Sequence, residues 1–282
     1  MSSSSPTISV IIPTYHRLGD LEKCLSCLAP DTQTLAAEHY EVIVSDDGRN
    51  PSAEDLIKSK FPWAQWAAGP QNGPAENRNN GASLARGSLL VFTDDDCLPS
   101  ANWLEVFHNN RETAEVLEGL TRADQAQYSH AVESPRNLKG GYLWSCNFAI
   151  QKTAFEALEG FDTGFPAPAM EDCDLRERIK KADLSWEFIK EAEVVHPWRP
   201  AKTWKFWEIH LKAIQYYRSK HPEVDSAPLA PVFFKEGLRK LKQSLLDTRK
   251  TAGFRGFSHI LIYFCWCQWT AFRFLLNPSF RK

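Results

Sequence analysis

Apolar and polar positions along the first hundred residues switch repeatedly between two periods. Ile8-Ser9-Val10-Ile11-Ile12 has the pattern of a strand covered on both faces, and Pro13 stops it. Leu21, Cys24, Leu25 and Leu28 then share one side of a helix, with Asp20 as its expected cap. Glu41-Val42-Ile43-Val44 is a second strand ending in Ser45-Asp46-Asp47-Gly48, and Ser52 opens a short helix through Leu56 and Ile57. Trp63 to Ala68 predicts a third strand. Asn72-Gly73-Pro74 turns into a helix from Ala75 to Leu84, Gly87 ends it, and Ser88 to Thr93 is the fourth strand. This β-α-β-α order predicts an α/β fold, with a Rossmann-like, mostly parallel central sheet flanked by helices.

Beyond Thr93 the pattern loosens. A weak strand around Val116 to Leu120 lies within a polar stretch, 111–137, that periodicity does not assign. Trp144 to Ile150 alternates as a strand, and Thr153 to Leu158 reads as a short helix. Met170-Glu171-Asp172-Cys173-Asp174-Leu175 opens a helix to about Lys181. Trp186 to Ile189 and Val194-Val195 are strand-like and lead to His196-Pro197-Trp198. The tail is helical and of another character. Lys202 to Tyr217 is aromatic and basic, and a break follows from Pro222 to Pro231. Phe233 to Leu246 sets Leu238, Leu241, Leu245 and Leu246 against Lys235, Arg239, Lys240 and Lys242. Phe257 to Leu276 is apolar and aromatic, interrupted by Gln268 and Arg273. It nears the length that crosses a bilayer, and a buried core or dimer helix is the plainer reading, but the favoured expectation is a helix lying in the plane of a membrane surface.

Charge marks the same boundary. The net charge of −2 conceals 16 basic and 5 acidic side chains from Arg199 to Lys282, against 17 basic and 30 acidic before them. The expected organisation is a catalytic domain at 1–200 and a basic, aromatic helical region at 201–282 that meets an anionic membrane surface. At 43% hydrophobic and 24% charged, the chain is not expected to be disordered. Seven cysteines form no disulfide framework, and the Ser-rich lead, Met1 to Pro6, has no apolar core. A cytoplasmic location is therefore expected, peripheral on the inner face of the plasma membrane. Cys24 and Cys27 form a CxxC pair inside a helical pattern, without a second pair, and read as structural.

Three polar clusters fall at expected carboxyl ends of strands: Pro13-Thr14-Tyr15, Asp46-Asp47 and Asp94-Asp95-Asp96. Ligands of parallel sheets bind at that edge. The alternating Asp94 and Asp96 suit Mg²⁺ or Mn²⁺ carrying a diphosphate, because such ions keep open positions for phosphate oxygens. Three adjacent anions repel one another, so a buried triplet calls for a cation. Singly, each cluster has a plainer reading. Asp46 and Asp47 before Gly48 are turn residues, acids at 171–174 complement a helix dipole, and His196 can be a core histidine.

Together the blocks resemble the family 2 glycosyltransferases with the GT-A fold. The resemblance runs from about Thr7 to His196. It rests on Ile8 to Arg17, Glu41 to Gly48, Asn72-Gly73-Pro74-Ala75-Glu76-Asn77-Arg78-Asn79-Asn80-Gly81, Phe92 to Asp96, and Glu171-Asp172. It implies an inverting, metal-dependent transfer of a sugar from a nucleotide-diphosphate donor, a UDP-sugar above others, to a hydroxyl of a glycan or lipid-linked acceptor in cell-surface glycan or polysaccharide synthesis. By the same resemblance, Pro13, Thr14 and Tyr15 line the nucleoside pocket, and Asp47, with Asp46 behind it, meets the base. Arg78 lies near the nucleotide, Asp94 and Asp96 form the DxD pair on the donor's ribose, metal and diphosphate, and Asp95 between them counts among the donor-binding residues. Asp172 is the base, Glu171 orients it or the acceptor, and His196 matches a position that sometimes ligates the metal. The Gly164 to Ala169 segment would close over the donor. The Gln-x-x-Arg-Trp motif of processive synthases is absent, which favours transfer of a single sugar. The competing readings are a catalytically inactive scaffold at the membrane, a metal-dependent phosphatase and a nucleotidyltransferase. Nucleic acid is not an expected partner.

Overall fold

The computed structural model describes residues 5–224, 226–248 and 253–276. Two compact units divide these described residues: those up to 123 together with 135–197, and 124–134 together with those from 198 on. In chain order the elements are β1 (Ile8–Thr14), α1 (Leu18–Cys27), β2 (Tyr40–Asp46), α2 (Glu54–Lys60), β3 (Gln65–Ala68), α3 (Pro74–Ser83), β4 (Leu89–Thr93), β5 (Leu98–Pro99) and α4 (Trp103–Asn110). There follow β6 (Val116–Arg122), β7 (Val132–Glu133), β8 (Asn147–Gln151), α5 (Lys152–Ala157), α6 (Glu171–Lys181), β9 (Trp186–Val195), β10 (Arg199–Pro200), α7 (Trp204–Lys220), α8 (Leu229–Asp247) and α9 (Phe257–Leu276).

An eight-stranded sheet in the order β3-β2-β1-β4-β8-β6-β9-β5 forms the first unit. The strands from β3 to β4 are parallel, as their continuous apolar runs require. Beyond β4 the sheet is mixed: β8 is antiparallel to β4 and β6, β6 is parallel to β9, and β5 is antiparallel to β9. Alternation in β1 sends Ile8, Val10 and Ile12 to one face and Ile11 to the other. The first face packs on Leu21, Leu25, Trp103 and Phe107, and the second on Ala82, Phe155, Phe161 and Leu175. Burying the sheet on both sides leaves its carboxyl edge as the place where polar chemistry can collect.

Most expected elements lie within a few residues of their predicted bounds, with three exceptions. Asp20 does not cap α1. The helix starts at Leu18, the Arg17 carbonyl accepts the Asp20 and Leu21 N–H groups, and the Asp20 carboxylate pairs with Lys23 at 3.1 Å. The two fragments at 186–189 and 194–195 are one strand, β9, whose register with β6 shifts between Gly119 and Leu120. Helix α8 starts at Leu229 rather than after Pro231, because Pro231 falls in the first turn, where its missing N–H costs no hydrogen bond.

In the second unit β7 pairs with β10. Trp207, Leu211, Phe233, Trp266 and Phe274 form its core. Gly237 allows α8 and α9 to touch, since a Cβ there would meet Cys267 Cβ at 2.8 Å and Gln268 Nε2 at 2.7 Å. No helix among the described residues is long and apolar enough to cross a membrane.

Candidate active site

The ends of β1, β2 and β4 lie side by side, with Thr14 in register with Asp46 and Ile11 with Phe92. This brings the three predicted polar clusters to one edge. Their carboxylates then do different work. Asp46 is an internal clamp: Oδ1 accepts the Gly48 N–H at 2.8 Å, and Oδ2 accepts Ala53 N–H, the Ser52 hydroxyl and Trp66 Nε1 at 2.7, 2.9 and 3.2 Å. These bonds shape the β2–α2 loop and consume the carboxylate. Asp47 is buried, with Oδ1 accepting the Gln71 N–H at 2.8 Å, and burial raises its pKa. A Cβ on Gly69 would lie 2.3 Å from Asp47 Oδ1 and 2.5 Å from Asn77 Oδ1, so only glycine lets these two oxygens converge. Asn77 is fixed through its Nδ2, which donates to the Ser45 carbonyl at 2.9 Å. Its buried Oδ1 has no hydrogen-bond partner among the described residues. Two acceptor oxygens thus lie close together against Gly69.

Part of the positive charge that the buried Asp94-Asp95-Asp96 triplet calls for comes from two arginines of the chain itself. Arg78, buried on α3, binds Asp94 at 2.7 Å and Glu171 at 3.3 Å, and lies over the Phe161 ring at 5.5 Å. Arg17 spans Asp95 through Nη2 (2.5 Å) and Nε (3.2 Å), and reaches Asp96 through Nη1 at 2.7 Å. The Thr14 hydroxyl donates to Asp95 at 2.7 Å. Burial works against ionisation at Asp94, but the Arg78 charge outweighs it and holds this carboxyl below its ordinary value. Asp95 is buried more completely and is pushed up to about 7, despite the opposing pull of Arg17 and Thr14. Arg17 itself is 42% exposed, so its guanidinium also faces the open edge.

Asp96 Oδ1 lies 3.4 Å from His196 Nε2, and His196 Nδ1 lies 3.0 Å from the Pro197 carbonyl. If Nδ1 carries the proton toward that carbonyl, Nε2 presents a lone pair beside the carboxylate. Cys97 Sγ completes a group whose ligand atoms lie within 4.8 Å of one another. Burial pushes the Cys97 thiol up, leaving oxygen and imidazole as the natural donors. This set fits a divalent cation that takes its other ligands from a diphosphate. Asp94, engaged by Arg78, lies outside the group.

Glu171 and Asp172 open α6, after Met170 turns the chain with φ 73°. Glu171 is buried, and its Oε2 has no hydrogen-bond partner among the described residues. Asp172 Oδ1 accepts the Cys173 N–H at 2.8 Å. Burial raises the pKa of both carboxyls, with each anion opposing ionisation of Glu171 and Arg78 acting in the other direction. A cleft of about 310 Å³ lies between residues 72–75 at the start of α3, residues 163–168 and Glu171. The Gly164 to Ala169 segment, expected to cover a donor, thus contributes a wall of the cleft. Of the remaining predicted residues, Pro13 lies within β1 and Tyr15 is 61% exposed just past its end.

Sequence reasoning assigned no role to Arg17, Asn77 or Glu118. Arg17 closes the first resembling block, where its charge three residues beyond the end of β1 was the available signal. Glu118 shows none, being a lone acid in a strand. Fully buried, it accepts Asn137 Nδ2 and the N–H groups of Gly141 and Tyr142 at 2.7, 2.7 and 2.9 Å, and so builds the loop that presents Tyr142. Tyr142 stacks on Trp144 at 5.3 Å between centroids. The strand that follows, β8, pairs Asn147 with Thr93, next to the acidic triplet.

Comparison with known proteins gives this edge its context. Residues 9–116 match the family model described as Glycosyl transferase family 2. A validoxylamine A glucosyltransferase of Streptomyces hygroscopicus is 37% identical over 238 residues, covering 68% of this chain and 55% of that one. A GalNAc(5)-diNAcBac-PP-undecaprenol beta-1,3-glucosyltransferase of Campylobacter jejuni is 31% identical over 99 residues, covering 32% and 30%. The chain spans between a third and just over half the length of three of the curated relatives it matches. The crystal structure of S. aureus TarS 1–349 in complex with UDP-GlcNAc superposes with a TM-score of 0.58 at 15% identity, over 76% of this chain and 66% of that one. That likeness concerns the fold, a mixed sheet flanked by helices of the GT-A type. The stretch that matches glycosyl transferase family 2, residues 9–116, is thus the one that carries Asp47, Arg78, Asp94 and Asp96 on one sheet edge.

Proposed function

We propose that this chain transfers a single sugar, with inversion, from a nucleotide-diphosphate donor to an acceptor hydroxyl, and that UDP-sugars are its donors. The observation that carries this reading is the ion-paired line Asp94–Arg78–Glu171, with Asp172 beside it, at the carboxyl edge of a family 2 sheet. Asp47 Oδ1 and Asn77 Oδ1 suit the imide N–H of a uracil. Pro13, Thr14 and Tyr15 border the nucleoside, and Asp46 supports the loop from behind. Asp94 and Asp96 face the ribose and diphosphate side, with Asp95, buried between them, held by Arg17 and Thr14. Asp96 and His196, with Asp94 nearby, would hold Mn²⁺ or Mg²⁺, whose charge would offset that gathering on the departing diphosphate.

The chain's own groups set up the displacement. Asp172 accepts the proton of the acceptor hydroxyl, whose oxygen bonds to the anomeric carbon from the face opposite the leaving group. The anomeric carbon–oxygen bond breaks, and its electron pair leaves with the nucleoside diphosphate. One displacement inverts the configuration. Burial keeps Asp172 a stronger base than a solvated aspartate. Arg78 holds Glu171 beside it and so fixes the turn from which Asp172 projects. The Tyr142–Trp144 stack offers an apolar face to a sugar ring of the acceptor.

The acceptor we infer is a glycan or lipid-linked intermediate of surface-glycan synthesis, met at the cytoplasmic surface of the plasma membrane. Support comes from the undecaprenol-linked acceptor in the name of the Campylobacter relative and from the basic tail. The test is UDP release from a panel of UDP-sugars with Mn²⁺ and hydroxyl acceptors, with the product anomer assigned by NMR. An anomer opposite to the donor's is expected. Retained configuration would contradict the mechanism.

A further inference from the structure

Helix α9 is amphipathic in the inverted sense. Its exposed stripe is Leu261, Ile262, Cys265, Trp269, Phe272 and Leu276, with no charged residue. Its polar groups turn inward: Thr270 is buried, and Arg273 joins Glu208 at 2.8 Å, as Trp266 Nε1 does. A water-facing helix has the reverse arrangement. Helix α8 adds Phe234, Leu238 and Leu245, all exposed and at helical spacing. The Gln268 amide donates to the Phe234 carbonyl, so the two helices meet beside these stripes. Lys235 and Lys242, exposed on α8, flank this stripe at helical spacing, and Lys240 lies exposed further round the helix. The patch exceeds what scattered surface apolar residues account for.

We propose that this α8–α9 face lies in the plane of an anionic lipid bilayer, with Trp269 and Phe272 entering the acyl boundary and the α8 lysines on the headgroups. The inference rests on the membrane-surface reading above and names the surface responsible. Charge selects a bilayer as occupant. The lysines beside the patch would oppose their own copies across a two-fold interface but complement anionic headgroups.

The test is sedimentation of the full chain with phosphatidylcholine vesicles, with or without phosphatidylglycerol. A Trp269→Ser/Phe272→Ser variant and a Lys235→Glu/Lys240→Glu/Lys242→Glu variant are run beside the wild type, with thermal unfolding as the folding control. Wild type is expected to bind the anionic vesicles. The aromatic variant should bind at least about tenfold more weakly, and the charge variant should lose about fivefold or more per lysine. Should the aromatic variant fail to fold, the charge variant, altered only at exposed positions, still decides. Wild-type binding unaffected by either variant would overturn this face while leaving membrane association intact. Binding to no vesicle would overturn both. A wild-type dimer that the aromatic variant dissociates, without vesicle binding, would assign the face to a second copy and overturn the proposal.

Discussion

Asp172→Asn is expected to lower sugar transfer by roughly 10²- to 10⁴-fold, the contribution of a positioned general base, while nucleoside diphosphate binding stays within a few-fold of wild type. Asparagine keeps the shape and can still accept the Cys173 N–H, so α6 keeps its first turn. It cannot accept the acceptor's proton. The wild-type pH profile gives a second readout. Burial raises the pKa of Asp172, and of Glu171 beside it. The base works deprotonated, so the rate falls as pH drops through a value above the ordinary carboxylate range of about 4. The residual activity of the variant should lack this acid limb. A variant within about threefold of wild type, with the limb intact, would place the base elsewhere.

Arg78→Met is expected to destabilise the first unit by about 3–5 kcal/mol, because it leaves Asp94 and Glu171 buried without their common partner. For a domain of this size that corresponds to a fall in Tm of about 6–20 °C. The pH dependence has a definite sign. Arg78 holds the Asp94 pKa below its unfolded value, so this pair contributes stability above the unfolded pKa and loses it as pH falls through the folded one. The gap between wild type and variant should therefore narrow in acid. Arg78→Lys should recover part of the loss, since one ammonium replaces one arm of a guanidinium that binds two acids. Equal Tm values for wild type and Arg78→Met would show that the paired acids do not depend on this residue.

The parallel half of the sheet was legible because each strand is nearly self-sufficient as a pattern: a buried apolar run, a stop, and a polar cluster at its carboxyl end. Strands β1, β2 and β4 and their acids follow from that logic. The mixed half was less legible because its signals are not local. Strand β7 pairs with β10 more than sixty residues later, and residues 124–134 join the second unit through that long-range pairing. Periodicity cannot mark such a segment. The acids were found more readily than their counter-charges. A triplet of aspartates is visible as a run, whereas Arg17 and Arg78 acquire meaning only when the fold brings them to it. Asp46 and Asp47 are neighbours with the same chemistry, and only the hydrogen bonds from Ser52, Ala53 and Trp66 to one and from Gln71 to the other reveal that Asp46 is a clamp on its own loop while Asp47 reaches across to the segment before α3. Helix α9 was read with its exact span, but its outward apolar face needed the packing of Arg273 on Glu208 to become apparent.

The most direct measurement is calorimetric titration of the full chain with UDP, GDP, dTDP and CMP, with and without Mn²⁺, on wild type and on Asp94→Ala/Asp96→Ala. The account predicts Mn²⁺-enhanced binding of UDP in preference to the others, lost in the double variant while the fold is retained. Absence of binding by well-folded wild type would contradict a donor site at this edge and favour a scaffold, and equal UDP affinity in the variant would place the nucleotide elsewhere.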